Sequence, residues 1–375
     1  MPADRRVSRK PAKGAIRNVD FRELVKRRNG FYAPWHLFLT GCALLYAPIV
    51  RGRNLLYDLG LKKSYRLGVP TVSLGNLTMG GTGKTPAAAA LLRAALERGI
   101  RPALLSRGYR ASNGAGAGKD APNRYGRRND EGAELALEFP DVPHYQAPDR
   151  VGAGRALLAD FPETELVILD DGFQHRRLAR DVNLVLIDAL DPFGGGLFPA
   201  GLAREPIAAL RRADGVILNR ADLVDEPSRR RIEAEVRRYA PDVLWGEASV
   251  RPVSLLRRTP DGWDAAPLSL LKEESGKVWV PFCGIGNPDG FFKMLRAEGI
   301  KTASGISFPD HTAPGKGGIR RLAAAAPEAA GFLTTVKDLV KLPAGEIAGR
   351  PVWGVKTELR FLNGNLFFDK ALGWE

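Results

Sequence analysis

The chain has 375 residues, long enough for two domains that each bury a core. Hydrophobic residues at 44% and charged ones at 26% exclude a disordered chain, while two cysteines (Cys42, Cys283) without C-x-x-C spacing and four scattered histidines argue against a disulfide framework or zinc centre. Lys and Arg outnumber Asp and Glu by 56 to 42, and the net charge of +14 points to an anionic partner: nucleic acid, anionic lipid or a phosphorylated substrate.

Residues 1–30 carry ten Lys or Arg against three Asp or Glu, half of the total excess, and read as a basic, disordered tail. The segment that follows lacks a small-residue cleavage pattern, so no cleaved signal is expected. Residues 31–50 are uncharged, with Trp35 and two tyrosines, and Arg51 and Arg53 close the segment. A bilayer core needs about 20 apolar residues, but Pro34, Pro48, His36, Thr40 and Gly41 weaken this stretch as a span. Aromatic and basic ends suit a helix over 31–60 lying in an anionic membrane surface, with packing on its own domain as the alternative.

From Tyr65 short apolar runs alternate with helical stretches. A strand over 69–77, a Gly-rich turn and a helix over 85–98 lead into a strand over 101–109. Residues 111–128 are Gly-rich, basic and without periodicity, which predicts a mobile loop before a helix over 131–139. Apolar runs at 165–171, 182–188 and 215–222 each end in acidic residues, as in the strands of a doubly wound parallel α/β sheet. This nucleotide-binding domain spans 61–245, and a smaller α/β domain over 246–375 contributes to the same cleft. That second unit shows a strand and turn at 277–286, a helix at 290–299 and an Asn363-Gly364 hairpin signal within 359–368.

Gly80-Gly81-Thr82-Gly83-Lys84-Thr85 follows a predicted strand and opens a predicted helix, the context of a P-loop. Its glycines admit phosphate oxygens to backbone N–H groups, Lys84 reaches the β- and γ-phosphates, and the Thr85 hydroxyl suits Mg²⁺. The spacing is a variant, because Thr78 stands where the usual loop has glycine and Gly75 lies three residues earlier. Asp170 and Asp171 end an apolar strand, where a P-loop site places the carboxylate that holds Mg²⁺.

SLGNLTMGGTGKTP (73–86), SRGYR (106–110), DDGFQHRRLARDVNLVLID (170–188), PFGGGLFPAGLAREP (192–206), FCGIGNP (282–288), FPDH (308–311) and TTVKD (334–338) together resemble the tetraacyldisaccharide 4′-kinase family from about residue 31 to the C-terminus. The resemblance implies transfer of the γ-phosphate of ATP, with Mg²⁺, to the 4′-hydroxyl of an acylated glucosamine disaccharide 1-phosphate, giving lipid IVA. It also implies a peripheral enzyme on the cytoplasmic face of a Gram-negative inner membrane. Within it, Lys84 and Thr85 match the P-loop, Asp170 and Asp171 the acidic pair, Gln174 the glutamine of D-G-F-Q, and Arg204 and Glu205 an R-E pair on the nucleotide side. Asp130 matches an aspartate proposed as general base and His311 the histidine that pairs with it.

Each role has an alternative. Asp130 is also placed to cap the helix that follows. Arg204 either stabilises charge on the transferring phosphoryl group or pairs with Glu205. His175, Arg176 and Arg177 either meet the substrate's anionic end or form a solvated basic face. The sequence departs from the family at Asn129-Asp130-Glu131-Gly132, which replaces G-D-E-P, in the single histidine of FPDHT, and at Val336. Two other functions compete. Asn219-Arg220-Ala221-Asp222 resembles the N-K-x-D that reads guanine in GTPases and metallochaperones, but D-D-G-F-Q lacks the D-x-x-G switch glycine. GGTGKT resembles the loop of partition-type ATPases, but Met79 replaces their signature lysine, and no nucleic-acid partner is expected.

Overall fold

The computed structural model describes residues 25, 33–108, 129–273, 277–310, 312, 314–325, 327–363 and 366–374. The basic tail (Val25 apart), the loop at 111–128, His311 and Gly364 of the expected hairpin turn lie outside them.

The first helix spans Ala33–Asp58 and includes Pro48. Leu39, Ala43, Val50 and Asn54, at helical spacing, are buried against the protein, while Trp35, Leu37, Phe38, Leu44, Leu45 and Ile49 are exposed. The P-loop strand β1 covers Thr71–Asn76, and the helix after the loop Lys84–Glu97. Next come β2 (Pro102–Ser106), the helix Asp130–Glu138, β3 (His144–Gln146) and β4 (Leu166–Asp170). Strands β5 (Val182–Asp188) and β6 (Gly215–Asn219) complete the central layer, and β7 runs the sixteen residues Leu244–Thr259.

The remaining strands are β8 (Gly262–Pro267), β9 (Trp279–Cys283), β10 (Ile306–Ser307), β11 (Gly331–Thr335), β12 (Glu346–Ile347) and β13 (Arg350–Phe361). All thirteen join one sheet in the order β10-β9-β11-β13-β7-β6-β5-β1-β4-β2-β3, with β8 on β7 and β12 on β13. Every pair from β3 to β7 is parallel, as expected of a doubly wound α/β fold. The β9, β10, β11 and β13 set is parallel too, and the two halves meet at the antiparallel β7–β13 pair.

The sheet runs without a break across residue 245, because β7 pairs with β6 over Leu244–Ala248 and with β13 over Ala248–Leu256. Helices cover both faces. Ala87, Ala88, Leu91 and Leu92 of the P-loop helix pack on Val72, Leu74, Leu184 and Ile217, while Phe173, Leu210 and Val236 close the opposite face over Val185 and Val216. The expected hairpin at 359–368 is not formed. Phe367 opens the helix Phe367–Leu372 instead, and Phe367 and Phe368 bury in the core beneath the P-loop helix, so tertiary burial overrides the local turn signal.

Candidate functional site

The P-loop joins the buried end of β1 to its helix through two glycines with positive φ, Gly80 (127°) and Gly83 (90°). A Cβ on Gly83 would sit 2.1 Å from the Asn219 side chain, so only glycine lets this turn pass. Asn219 Nδ2 in turn donates to the Thr82 carbonyl at 2.8 Å, which ties the loop to the end of β6. From below, Asn76 Nδ2 donates to the Thr78 carbonyl (2.6 Å) and to Thr82 Oγ1 (3.1 Å). Thr78 itself is buried and bridges to Ala203, so it shapes the loop from behind rather than lining the cavity. The variant spacing also has a structural reason at Gly75: a Cβ there would stand 2.6 Å from the backbone nitrogen of Phe173, in the turn that carries the acidic pair.

That turn places Asp171 (φ 50°) beside the loop. Lys84 Nζ is 3.6 Å from Asp171 Oδ1, and Arg204 Nη1 donates to both of its oxygens at 2.7 and 2.9 Å. Burial alone would raise the Asp171 carboxyl, but Lys84 and Arg204 outweigh it and hold the group well below the usual carboxylate range. Asp170 is the opposite case. Burial, with Glu131 nearby, raises its carboxyl to about 7 even though Lys84 opposes the shift. Its Oδ1 is buried and has no hydrogen-bond donor.

A buried carboxylate oxygen without a protein donor, next to an ionised carboxylate and in the same cavity as Thr85, fits a divalent cation held by hard oxygen ligands. Among the described residues no three His, Cys, Asp or Glu side chains converge as a metal site. Mg²⁺ in general takes few protein ligands and fills its shell with phosphate and water oxygens.

Gly80 to Thr85, Asp170, Asp171, Gln174, Arg204 and Glu205 all line one cavity of about 1460 Å³. Its opposite wall brings Ile285, Phe291, Lys293, Met294 and Lys337 from the C-terminal half. The alternative for Arg204, a pair with Glu205, is not made. Arg204 turns to Asp171, whereas Glu205, 1% exposed, accepts from Arg212 (2.7 Å) and from Asn54 Nδ2 (2.9 Å). Gln174 braces the P-loop through Asn76, its Nε2 donating to the Asn76 carbonyl at 3.0 Å.

The helix Asp130–Glu138 is capped by Asn129, whose Oδ1 accepts from the Gly132 amide at 2.9 Å, so the alternative reading of Asp130 as the cap falls one residue too late. Asp130 instead lies 3.6 Å from Lys341 Nζ and 3.9 Å from Lys337 Nζ, while Asn129 and Glu131 line the cavity on either side of it. Lys337 Nζ also donates to Glu131 at 3.0 Å. His175 lines the cavity and is held neutral near pH 7, because burial and the surrounding Arg150, Arg180 and Arg53 lower it to about 4. Arg176 and Arg177 pair with Asp58 and Asp149 instead.

Four participants are given no role at the phosphate site by the sequence, although all but Arg150 stand inside quoted motifs: Asn76, Arg150, Glu131 and Arg220. Arg150 is 4% exposed and donates to the Asp170 carbonyl at 3.4 Å. Arg220 bonds to Asp188 and to the Gly81 carbonyl (2.8 Å). Lys337 stands inside TTVKD, so a family word marks its place but not its task.

The family described as tetraacyldisaccharide-1-P 4′-kinase matches this chain over residues 35–372. A tetraacyldisaccharide 4′-kinase of Geobacter sulfurreducens is 38% identical, covering 86% of this chain and 88% of the relative. Its counterpart in Geobacter metallireducens is 41% identical over 79% of this chain and 86% of its own length. Among solved structures, LpxK from Aquifex aeolicus, crystallised with ATP, superposes with a TM-score of 0.67 at 29% identity, covering 91% of this chain and 99% of that one. This chain therefore belongs to the tetraacyldisaccharide-1-P 4′-kinase family.

Proposed function

We propose that this chain transfers the γ-phosphate of ATP to the 4′-hydroxyl of a tetraacylated glucosamine disaccharide 1-phosphate, giving lipid IVA in lipid A synthesis. The observation that carries this reading is the convergence of Lys84 and Arg204 on Asp171 beside a glycine-built phosphate cradle. The hydroxyl oxygen attacks the γ-phosphorus, the bond to the β–γ bridging oxygen breaks, and ADP departs with its electron pair. Asp130 takes the hydroxyl proton late in transfer, with His311 positioning it. Lys84 and the P-loop amides hold the phosphates, and Arg204 meets charge on the moving phosphoryl group. Thr85, Asp170 and Asp171 would hold Mg²⁺, which would supply neutralisation of phosphate charge there.

Incubating the protein with labelled ATP, Mg²⁺ and the disaccharide 1-phosphate in detergent should give a doubly phosphorylated lipid, and GTP should compete poorly. A GTPase reading is weaker, because Asp222, the base-reading position of N-R-A-D, is 3.0 Å from Arg251 and Arg220 is bonded to Asp188. Labelled phosphate released to water with no lipid product would favour that rival.

The same proposal places the chain on the cytoplasmic face of the inner membrane, as a peripheral protein. It is supported by the exposed Trp35, Phe38, Leu44, Leu45 and Ile49 of the first helix and by the basic residues before it. No described helix is long and apolar enough to cross a membrane. Deleting residues 1–50 should move the protein from the membrane fraction to the supernatant, whereas salt should weaken the intact protein's binding only in part, since buried apolar area is not screened. Continued sedimentation of the truncated chain with anionic liposomes would locate the contact elsewhere.

A further inference from the structure

The exposed face of the first helix accounts for one side of it; the buried side makes contacts that an anchor does not need. Tyr46 Oη donates to the backbone carbonyl of Arg204 at 3.0 Å. Asn54, 7% exposed, donates to the buried Glu205 at 2.9 Å, one residue further along the same loop. Arg53 Nη2 donates to the Gln174 carbonyl at 2.6 Å, and the Gln174 side chain donates to the Asn76 carbonyl. Asn76 is the residue that clamps the P-loop from below. One helix thus grips both segments that flank Asp171.

We infer that the helix Ala33–Asp58 is a positioning element of the phosphate site, with Asn54 and Tyr46 acting through Arg204. The Arg204 guanidinium meets Asp171 at 2.7 Å from a backbone whose N–H donates to the Leu77 carbonyl at 2.9 Å, and this helix adds two further holds, Tyr46 on the Arg204 carbonyl and Asn54 on the next residue. Glu205 transmits the constraint. It is too buried to exchange a lost donor for water, so without Asn54 it retains Arg212 and Arg53 and the loop is free to follow them. A displacement of about 1 Å at a catalytic charge costs up to roughly 100-fold in rate.

The inference rests on the kinase reading, and one experiment separates their failures. Turnover is measured on detergent-dispersed acceptor with the full chain, in parallel with co-sedimentation on anionic vesicles. Asn54→Leu and Tyr46→Phe should each lower kcat by about 10-fold or more, with KM for ATP and vesicle binding near wild type. In an Arg204→Ala background neither should cost anything further, because both act through that residue. Leu44→Ser/Leu45→Ser, on the exposed face, should show the reverse: lost vesicle binding and retained kcat in detergent. Tyr46→Phe keeps its ring against Phe198, so it decides the matter if Asn54→Leu misfolds. Wild-type kcat in Tyr46→Phe, or losses that multiply in full with Arg204→Ala, would overturn the inference. An inactive wild-type enzyme would instead remove the kinase reading, and the inference with it.

Discussion

Lys84→Ala and Asp171→Ala should each reduce turnover by about 10³-fold while leaving the circular dichroism spectrum unchanged. Lys84 and Arg204 hold Asp171 ionised from two sides. Removing Lys84 leaves Asp171 paired with Arg204, so the loop keeps its shape but loses the cation that meets the phosphates. Removing Asp171 leaves Lys84 and Arg204 without the carboxylate they share. Both losses fall on phosphoryl transfer, where charge neutralisation dominates the barrier. Comparable kcat in either variant, with an unchanged spectrum, would remove this site from the reaction.

The second large effect is expected at Asp130 and His311. Asp130→Asn should lower kcat by about 10²–10⁴-fold and leave KM for ATP nearly constant. Because Asn129 makes the cap, the loss reports the Asp130 carboxylate and not a frayed helix. His311→Ala should have a similar effect, and the double variant should cost much less than the product of the two losses, since residues that act as a unit are not additive. Glu131→Gln is the informative comparison, because Glu131 lines the cavity and shares Lys337 with Asp130. Near-normal turnover in Asp130→Asn together with collapse in Glu131→Gln would transfer the base role to Glu131.

The P-loop and the parallel strands were readable in the sequence because each is a local pattern. The glycines, Lys84 and Thr85 are contiguous, and β4 is a solid apolar run ended by Asp170. What the sequence hides is side-chain direction. Arg204 and Glu205 are neighbours, yet one reaches Asp171 and the other reaches a helix 151 residues earlier, and no local rule assigns those opposite turns. The cap at Asn129 or Asp130 is ambiguous for the same reason, since both types cap well and only geometry chooses. The Asn363-Gly364 signal misleads because the two phenylalanines behind it have a better place in the core of the first half.

The seam between β7 and β13 has a mechanical consequence. It is a continuous hydrogen-bonded ladder from Ala248–Phe361 to Leu256–Gly354, interrupted only by a register shift at Lys356/Thr357. β7 is one uninterrupted strand that carries the P-loop half at its start and the C-terminal half at its end. The cavity walls are therefore joined by a hydrogen-bonded ribbon rather than by a flexible connector, with its one register shift at Lys356/Thr357. Ligand binding at the P-loop should then slow amide exchange along β13 and β11, well beyond any group that touches the nucleotide.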